Sequence, residues 1–121
     1  MFYKKFEEIP VWQQTRKFVS QIYKITDINF KKDYSLIDQL RRASVSILLN
    51  IAEGFERHGN KEFARYINIA KGSAGEVRAI LYLAYDNQYL NEKEFEILYN
   101  EIESISRQLF KFNQFLLNNN H

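Results

Sequence analysis

YSLIDQLRRASVSILLNIAEGFERHGNKEFARYINIAKGSAGE, residues Tyr34 to Glu76, decides the fold, because two patterns share one helical repeat. Leu36, Leu40, Ala43, Ile47, Ile51 and Phe55 recur at three- and four-residue steps, the apolar stripe of a helix lying on a core. Gln39, Arg42, Ser46, Asn50, Glu53 and Arg57 follow the same steps, rotated around the helix. A merely solvated face would be mostly interchangeable Lys and Glu. Amides and hydroxyls with a few charges suit a surface that meets something specific. Gly59 is a natural residue to follow a helix end and Asn60 a natural N-cap, so the next helix starts after a short turn and runs antiparallel.

Outward from this stretch the same logic continues in both directions. Pro10 suits the first turn of a helix over about 10–26, where its missing N–H costs nothing. Trp12, Thr15, Phe18 or Val19, Ile22 and Ile25 mark its inner side, and Asp27 to Asp33 reads as the first connection. Ser35 with Asp38 gives a capping-box-like start to the second helix, 35–57. The third, 61–87, turns Phe63, Tyr66 or Ile67, Ala70, Ala74, Val77, Leu81 and Ala84 inward. Asn91 with Glu94 repeats the cap signal for the fourth, 91–117, with Phe95, Leu98, Ile102, Ile105, Leu109, Phe112 and Leu116 on one face. One proline, four glycines and no alternating strand pattern complete the reading. The expectation is an all-α, up-down-up-down antiparallel four-helix bundle, one domain over residues 1–121, with Asn118 to His121 as a frayed tail.

Composition narrows the class of function. At 121 residues with 45% hydrophobic and 16% aromatic content, the chain holds one cored domain and is not disordered. Zero cysteines remove disulfides, thiolate metal sites and cysteine nucleophiles together. The N-terminus MFYKKFEEIP lacks a long apolar run, and no window approaches about 18 uncharged apolar residues. A soluble cytoplasmic protein with no membrane association is expected. The net charge of +2 is uneven: residues 1–90 carry +4 and residues 91–121 carry −2. Such asymmetry permits nucleic-acid contact without demanding it.

Metal and catalytic chemistry find little to stand on. A di-iron bundle needs inward Glu residues and paired E-x-x-H motifs, whereas the two histidines here, His58 and His121, sit in a turn and at the terminus. No metal, no cofactor and no enzymatic activity are expected. Ser44 and Ser46 lack a neighbouring His. Glu53 and Glu76 could form a carboxylate pair for acid–base work. The favoured reading makes them structural, accepting from Asn50, Ser73 or a facing Arg.

Gly72-Ser73-Ala74-Gly75 requires a reason, since each Gly inside a helix costs roughly 1 kcal/mol relative to Ala. Close packing of helix backbones, within the chain or between subunits, is the favoured reading for Gly72 and Gly75, and Gly54 is read the same way. The basic residues Arg16, Lys17, Lys24, Arg41, Arg42, Arg57, Lys61 and Arg65, with Lys71, are the candidate nucleic-acid surface. Against this stands a solvated helix face with intramolecular salt bridges. Tyr3, Tyr23, Tyr82, Tyr85 and Tyr89 could stack on bases, or pack in the bundle or an interface.

Q-L-R-R-A-S-V-S-I-x-x-N-I-A-E-G (Gln39 to Gly54) followed by I-A-x-G-S-A-G-E (Ile69 to Glu76) resembles the four-helix-bundle family of 23S rRNA intervening-sequence proteins. V-W-Q at Val11, F-A-R-Y-I at Phe63 and the Tyr89-Leu90 turn agree with it, so the likeness covers nearly the whole chain. Leu48-Leu49 departs from an expected Pro, and Ala74-Gly75 from a larger apolar residue. Both changes affect local packing. The resemblance implies a left-handed four-helix bundle assembled as a homopentamer around a channel. The chain is also similar to the accessory variability determinant proteins of diversity-generating retroelements, basic pentamers that bind nucleic acid and a reverse transcriptase. The expected function is therefore a non-enzymatic homo-oligomer binding RNA or DNA through basic residues. The alternative is a protein–protein scaffold with no direct nucleic-acid role. In a ring of subunits, Arg42, Asn50 and Glu53, with the rest of the polar set Gln39, Ser46, Ser73 and Glu76, would fix register across or within subunits.

Overall fold

The computed structural model describes residues 3–119. One turn of 3-10 helix at Phe6–Glu8 leads into α1, Pro10–Asn29, followed by α2, Tyr34–Glu56, α3, Asn60–Asp86, and α4, Glu92–Asn118. These four helices pack as a bundle in which α2 and α4 each lie along α3, α1 lies along α2, and α1 touches α4 more lightly. Among the described residues α1 and α3 are diagonal, with no Cα atoms within 8 Å of each other.

The apolar stripes meet in one core. Phe18, Ile22, Leu40, Ile47, Ile51, Ile67, Leu81, Ile102, Ile105 and Leu109 are fully buried. Each such side chain contributes about 2 kcal/mol of burial relative to exposure. The inner face of α3 is lined by Ala64, Ala70, Ala74 and Ala84. Small residues let α2 and α4 approach this helix closely, since interaxial distance follows the side chains at the contact. Three buried hydroxyls are satisfied within their own helices: Thr15 donates to Val11 O, Thr26 to Ile22 O and Ser44 to Leu40 O, at 2.7–2.8 Å.

The helix ends show where local chemistry departs from the sequence reading. α1 runs three residues further than expected, to Asn29, so the first connection is only Phe30 to Asp33. α2 is capped by Asp33, whose carboxylate accepts the Leu36 N–H at 3.1 Å, and not by Ser35, which lies one residue inside the helix. Gly59 has φ 85° and ψ 155° and stands as the N-cap of α3, making no side-chain cap. That backbone region is open only to glycine. Asn60 is consequently already helical, and its amide reaches instead to Asn119 O at 2.8 Å. The capping box of Asn91 and Glu94 is present in full. α3 closes with Gln88 in a left-handed conformation (φ 64°), Tyr89 N–H bonding to Ala84 O at 2.9 Å and Gln88 N–H to Tyr85 O at 3.0 Å. This is the Schellman pattern without its usual glycine. α4 continues to Asn118, while Asn120 and His121 of the expected tail lie outside the described residues.

Candidate nucleic-acid interface

The polar stripe of α2 lies along the outer seam between α2 and α3. Ser46 and Ser73 hydroxyl oxygens stand 2.9 Å apart, and the Asn50 amide donates to Ser46 O at 2.8 Å and Ser46 Oγ at 3.1 Å. Glu53 accepts from Arg57 at 3.1 Å, Arg42 pairs with Asp38 at 3.4 Å, and Gln39 and Glu76 are exposed. The Ser46–Ser73 contact fixes the antiparallel register and puts Glu76 opposite Ala43. Glu76 therefore sits about 15 Å along the axis from Glu53. The two carboxylates form no acid–base pair.

The glycines divide. A Cβ at Gly54 would stand 2.6 Å from Tyr66 Cβ and 2.8 Å from Phe63 Cδ1, so α2 and α3 touch there through bare backbone. At Gly72 and Gly75 an added Cβ would meet nothing within 4 Å. Close packing inside the chain does not explain these two, because both lie on the outside of α3.

The basic residues singled out from sequence do not form one patch. Arg16, Lys17 and Lys24 are exposed on α1, with Arg16 6.0 Å over the Trp12 ring. Arg41 is committed to the α1–α2 seam. Its Nε donates to Thr26 Oγ1 at 2.9 Å, its Nη2 to Tyr23 O at 3.2 Å, it approaches Asp27 at 3.5 Å, and it lies 4.4 Å over the Tyr23 ring. Arg57 and Arg65 both face the Tyr66 ring, at 5.1 and 4.7 Å. Each is also held by a carboxylate. Arg65 donates to Glu62 Oε1 at 3.0 and 2.7 Å, and that hydrogen bond keeps the Glu62 carboxyl below the usual carboxylate range against a smaller upward push from burial. Lys61 and Arg65 do share a shallow cavity of about 620 Å³ with His58, Asn68 and Asn113, but Glu62 sits in its wall.

Cations converge elsewhere, in a groove of about 410 Å³ between α3 and α4. Lys71 and Arg78 reach it from α3, and Arg107 and Lys111 from α4, with Glu103 as the single carboxylate in the lining. Arg78 Nη1 donates to Ser106 Oγ at 3.4 Å, Lys71 Nζ lies 5.9 Å over the Phe110 ring, and Arg107 approaches Glu103 at 3.3 Å. Beyond Arg78 the same seam carries four aromatic rings. Phe95 lies 5.1 Å from Tyr82, 5.2 Å from Tyr85 and 5.4 Å from Tyr99, and Tyr82 lies 5.6 Å from Tyr99. Hydrogen bonding with Tyr99, then its proximity, raise the Tyr82 phenol above its ordinary range, while Arg78 pulls it down. Sequence reasoning named Lys71, Tyr82 and Tyr85 but missed Arg78, Arg107 and Lys111. The net negative charge of residues 91–121 conceals two of these, which only the antiparallel register sets opposite α3.

Among the described residues, no group of three His, Asp or Glu side chains is placed to hold a metal ion. Nor, among these residues, is any helix long and apolar enough to cross a membrane.

Residues 7–111 match the 23S rRNA-intervening sequence protein family. The fold is similar to the 1.70 Å crystal structure of a protein of unknown function from the S23 ribosomal protein family of Bacteroides thetaiotaomicron. The two share 25% sequence identity over 85% of this chain and 97% of that one, with a TM-score of 0.79. No curated protein matches the chain.

Proposed function

The chain belongs to the 23S rRNA-intervening sequence protein family, and on that premise we propose that it is a non-enzymatic helical-bundle protein that binds RNA or DNA through the α3–α4 groove. The observation that carries this reading is the convergence of Lys71, Arg78, Arg107 and Lys111 on one cavity with one carboxylate among them. Phosphates bound there would release counterions and make affinity fall steeply with salt. The arginines of α2 and early α3 are a weaker foundation, since Arg41, Arg42, Arg57 and Arg65 each have an acidic partner. Among the described residues, by contrast, Arg107 is the one groove cation of the four with such a partner, Glu103.

Binding of labelled RNA and DNA across a salt series tests the proposal. Arg78→Ala, Arg107→Ala and Lys111→Ala should each weaken binding and flatten the salt slope by about one unit. Arg42→Ala and Arg57→Ala should change little. Absence of binding at low salt would overturn the reading and leave a protein-directed scaffold in front.

A second reading concerns assembly. Leu49 is 59% exposed on α2 and Ile69 42% exposed on α3. The register sets these side chains near each other, beside the open surface at Gly72. Copies of the chain would pack through this face, in line with the homopentamer that the resemblance implies. Light scattering should give a multiple of 14.5 kDa that falls when Leu49→Lys or Ile69→Lys is introduced. A wild-type monomer removes this reading without touching the first.

A further inference from the structure

We infer that the α3–α4 groove selects single-stranded nucleic acid, holding phosphates at its cationic end and stacking unpaired bases on the rings of Tyr82, Tyr85, Phe95 and Tyr99. This rests on the nucleic-acid reading above and names the form of the ligand. The first observation is continuity. Lys71, Arg78, Tyr82 and Tyr85 succeed one another along one side of α3, spanning about 21 Å. Phe110, Arg107, Glu103, Tyr99 and Phe95 descend α4 beside them in antiparallel order.

The second observation is that Tyr82 and Tyr85 are open to solvent and held against Phe95 and Tyr99, which are half-buried and pack on the core. Tyr82 is 50% and Tyr85 40% exposed, and each packs against Phe95. A mutually packed cluster has little freedom left to lose when a base settles on it. Stacking accepts any base, because every base has a π-face. A duplex buries those faces within its own stack, so it can use the cations and not the rings.

The third observation is the stretch of α3 between two of the groove's cations. Gly75 lies between Lys71 and Arg78 on α3, and a Cβ there would meet nothing within 4 Å. The backbone is bare where a sugar-phosphate chain would pass between the two cations. Asp86 follows Tyr85 directly and is exposed. Attraction at that end therefore comes from ring faces and not from charge.

The test compares labelled uridylate and thymidylate 20-mers with a 20-base-pair duplex, by anisotropy at low salt, on the full chain. The single strands should bind at least tenfold more tightly than the duplex. Tyr82→Ala and Tyr85→Ala should each lose about tenfold on single strands and nothing on the duplex, while Tyr82→Phe keeps the wild-type preference. Tyr82→Phe and the exposed Tyr85 site keep the experiment informative should Tyr82→Ala not fold. Equal affinity for duplex and single strand, or ring variants that bind as the wild type does, would overturn the inference. In that case the cation reading survives if Arg78→Ala still weakens both ligands. Ring variants that lower the mass of the assembly would also overturn it, assigning the rings to contact between copies. Loss of all binding in the wild type would end both readings together.

Discussion

The Tyr89 hydroxyl donates to Asp33 Oδ2 at 2.9 Å while Oδ1 of the same carboxylate accepts the Leu36 N–H at 3.1 Å. One side chain thus caps α2 and ties the α1–α2 turn to the α3–α4 turn, with Phe30 and Tyr89 rings 5.1 Å apart beside it. Asp33→Ala should cost about 1 kcal/mol through the cap alone, more than Asp33→Asn, which retains an acceptor. The hydrogen bond to Asp33, then burial, holds the Tyr89 phenol above its ordinary range. Stability linked to that shift is complete below about pH 10 and lost as pH rises through the folded value. Denaturant titrations at pH 7 and pH 11 should show the difference between wild type and Tyr89→Phe shrinking at the higher pH.

Gly54→Ala should destabilise by about 1–3 kcal/mol, because Tyr66 Cβ at 2.6 Å is anchored to backbone and cannot swing away. Gly72→Ala has open space and should instead stabilise the isolated bundle by up to about 1 kcal/mol. Opposite shifts in melting temperature check the pair. Two destabilised variants would mean that the outer face of α3 is covered in solution.

Arg41→Lys should cost about 1 kcal/mol, since an ammonium cannot donate to Thr26 and Tyr23 O while lying flat on the Tyr23 ring. Nucleic-acid affinity should be unchanged in this variant. A loss of affinity at unaltered stability would return Arg41 to the binding surface.

Gln21, with its amide nitrogen turned toward Glu101, donates to that carboxylate at 2.7 and 3.1 Å. Burial nonetheless raises the Glu101 carboxyl, outweighing the downward pull of the Gln21 bond. A carboxyl raised on folding favours the folded state while protonated, so stability falls as pH climbs through the carboxylate range. Glu101→Gln should therefore raise the melting temperature at pH 7 and leave it unchanged below about pH 4. A lowered melting temperature at pH 7 would show that the Gln21 bond dominates.

The apolar stripes made the four helices and most of the core legible, because burial follows the 3.6-residue period directly. Ile9, Val11, Phe30, Ala64, Ile80 and Leu90 are buried without having been read as core. Helix ends were less so. Asp33 wins over Ser35 as N-cap through its second partner, Tyr89, a residue 56 positions away that no local pattern reveals. The candidate groove was legible only in fragments. Arg78 and Arg107 belong to different helices, and nothing in either segment alone says that Ser106 will stand beside Arg78. Conversely, Arg41 reads as a surface cation until α1 packs along α2 and sets Tyr23, Thr26 and Asp27 against it.

The alanine lining of α3 has a consequence for how the bundle breathes. α2, α3 and α4 are drawn together through Ala64, Ala70, Ala74 and Ala84, while α1 meets its neighbours α2 and α4 more sparsely. Opening α1 breaks contacts with α2 and a few with α4 and leaves the other three helices paired. Sub-global openings follow such boundaries. Amide hydrogen exchange should accordingly release α1 as one unit at lower free energy than α3, whose central amides exchange only when the whole molecule unfolds.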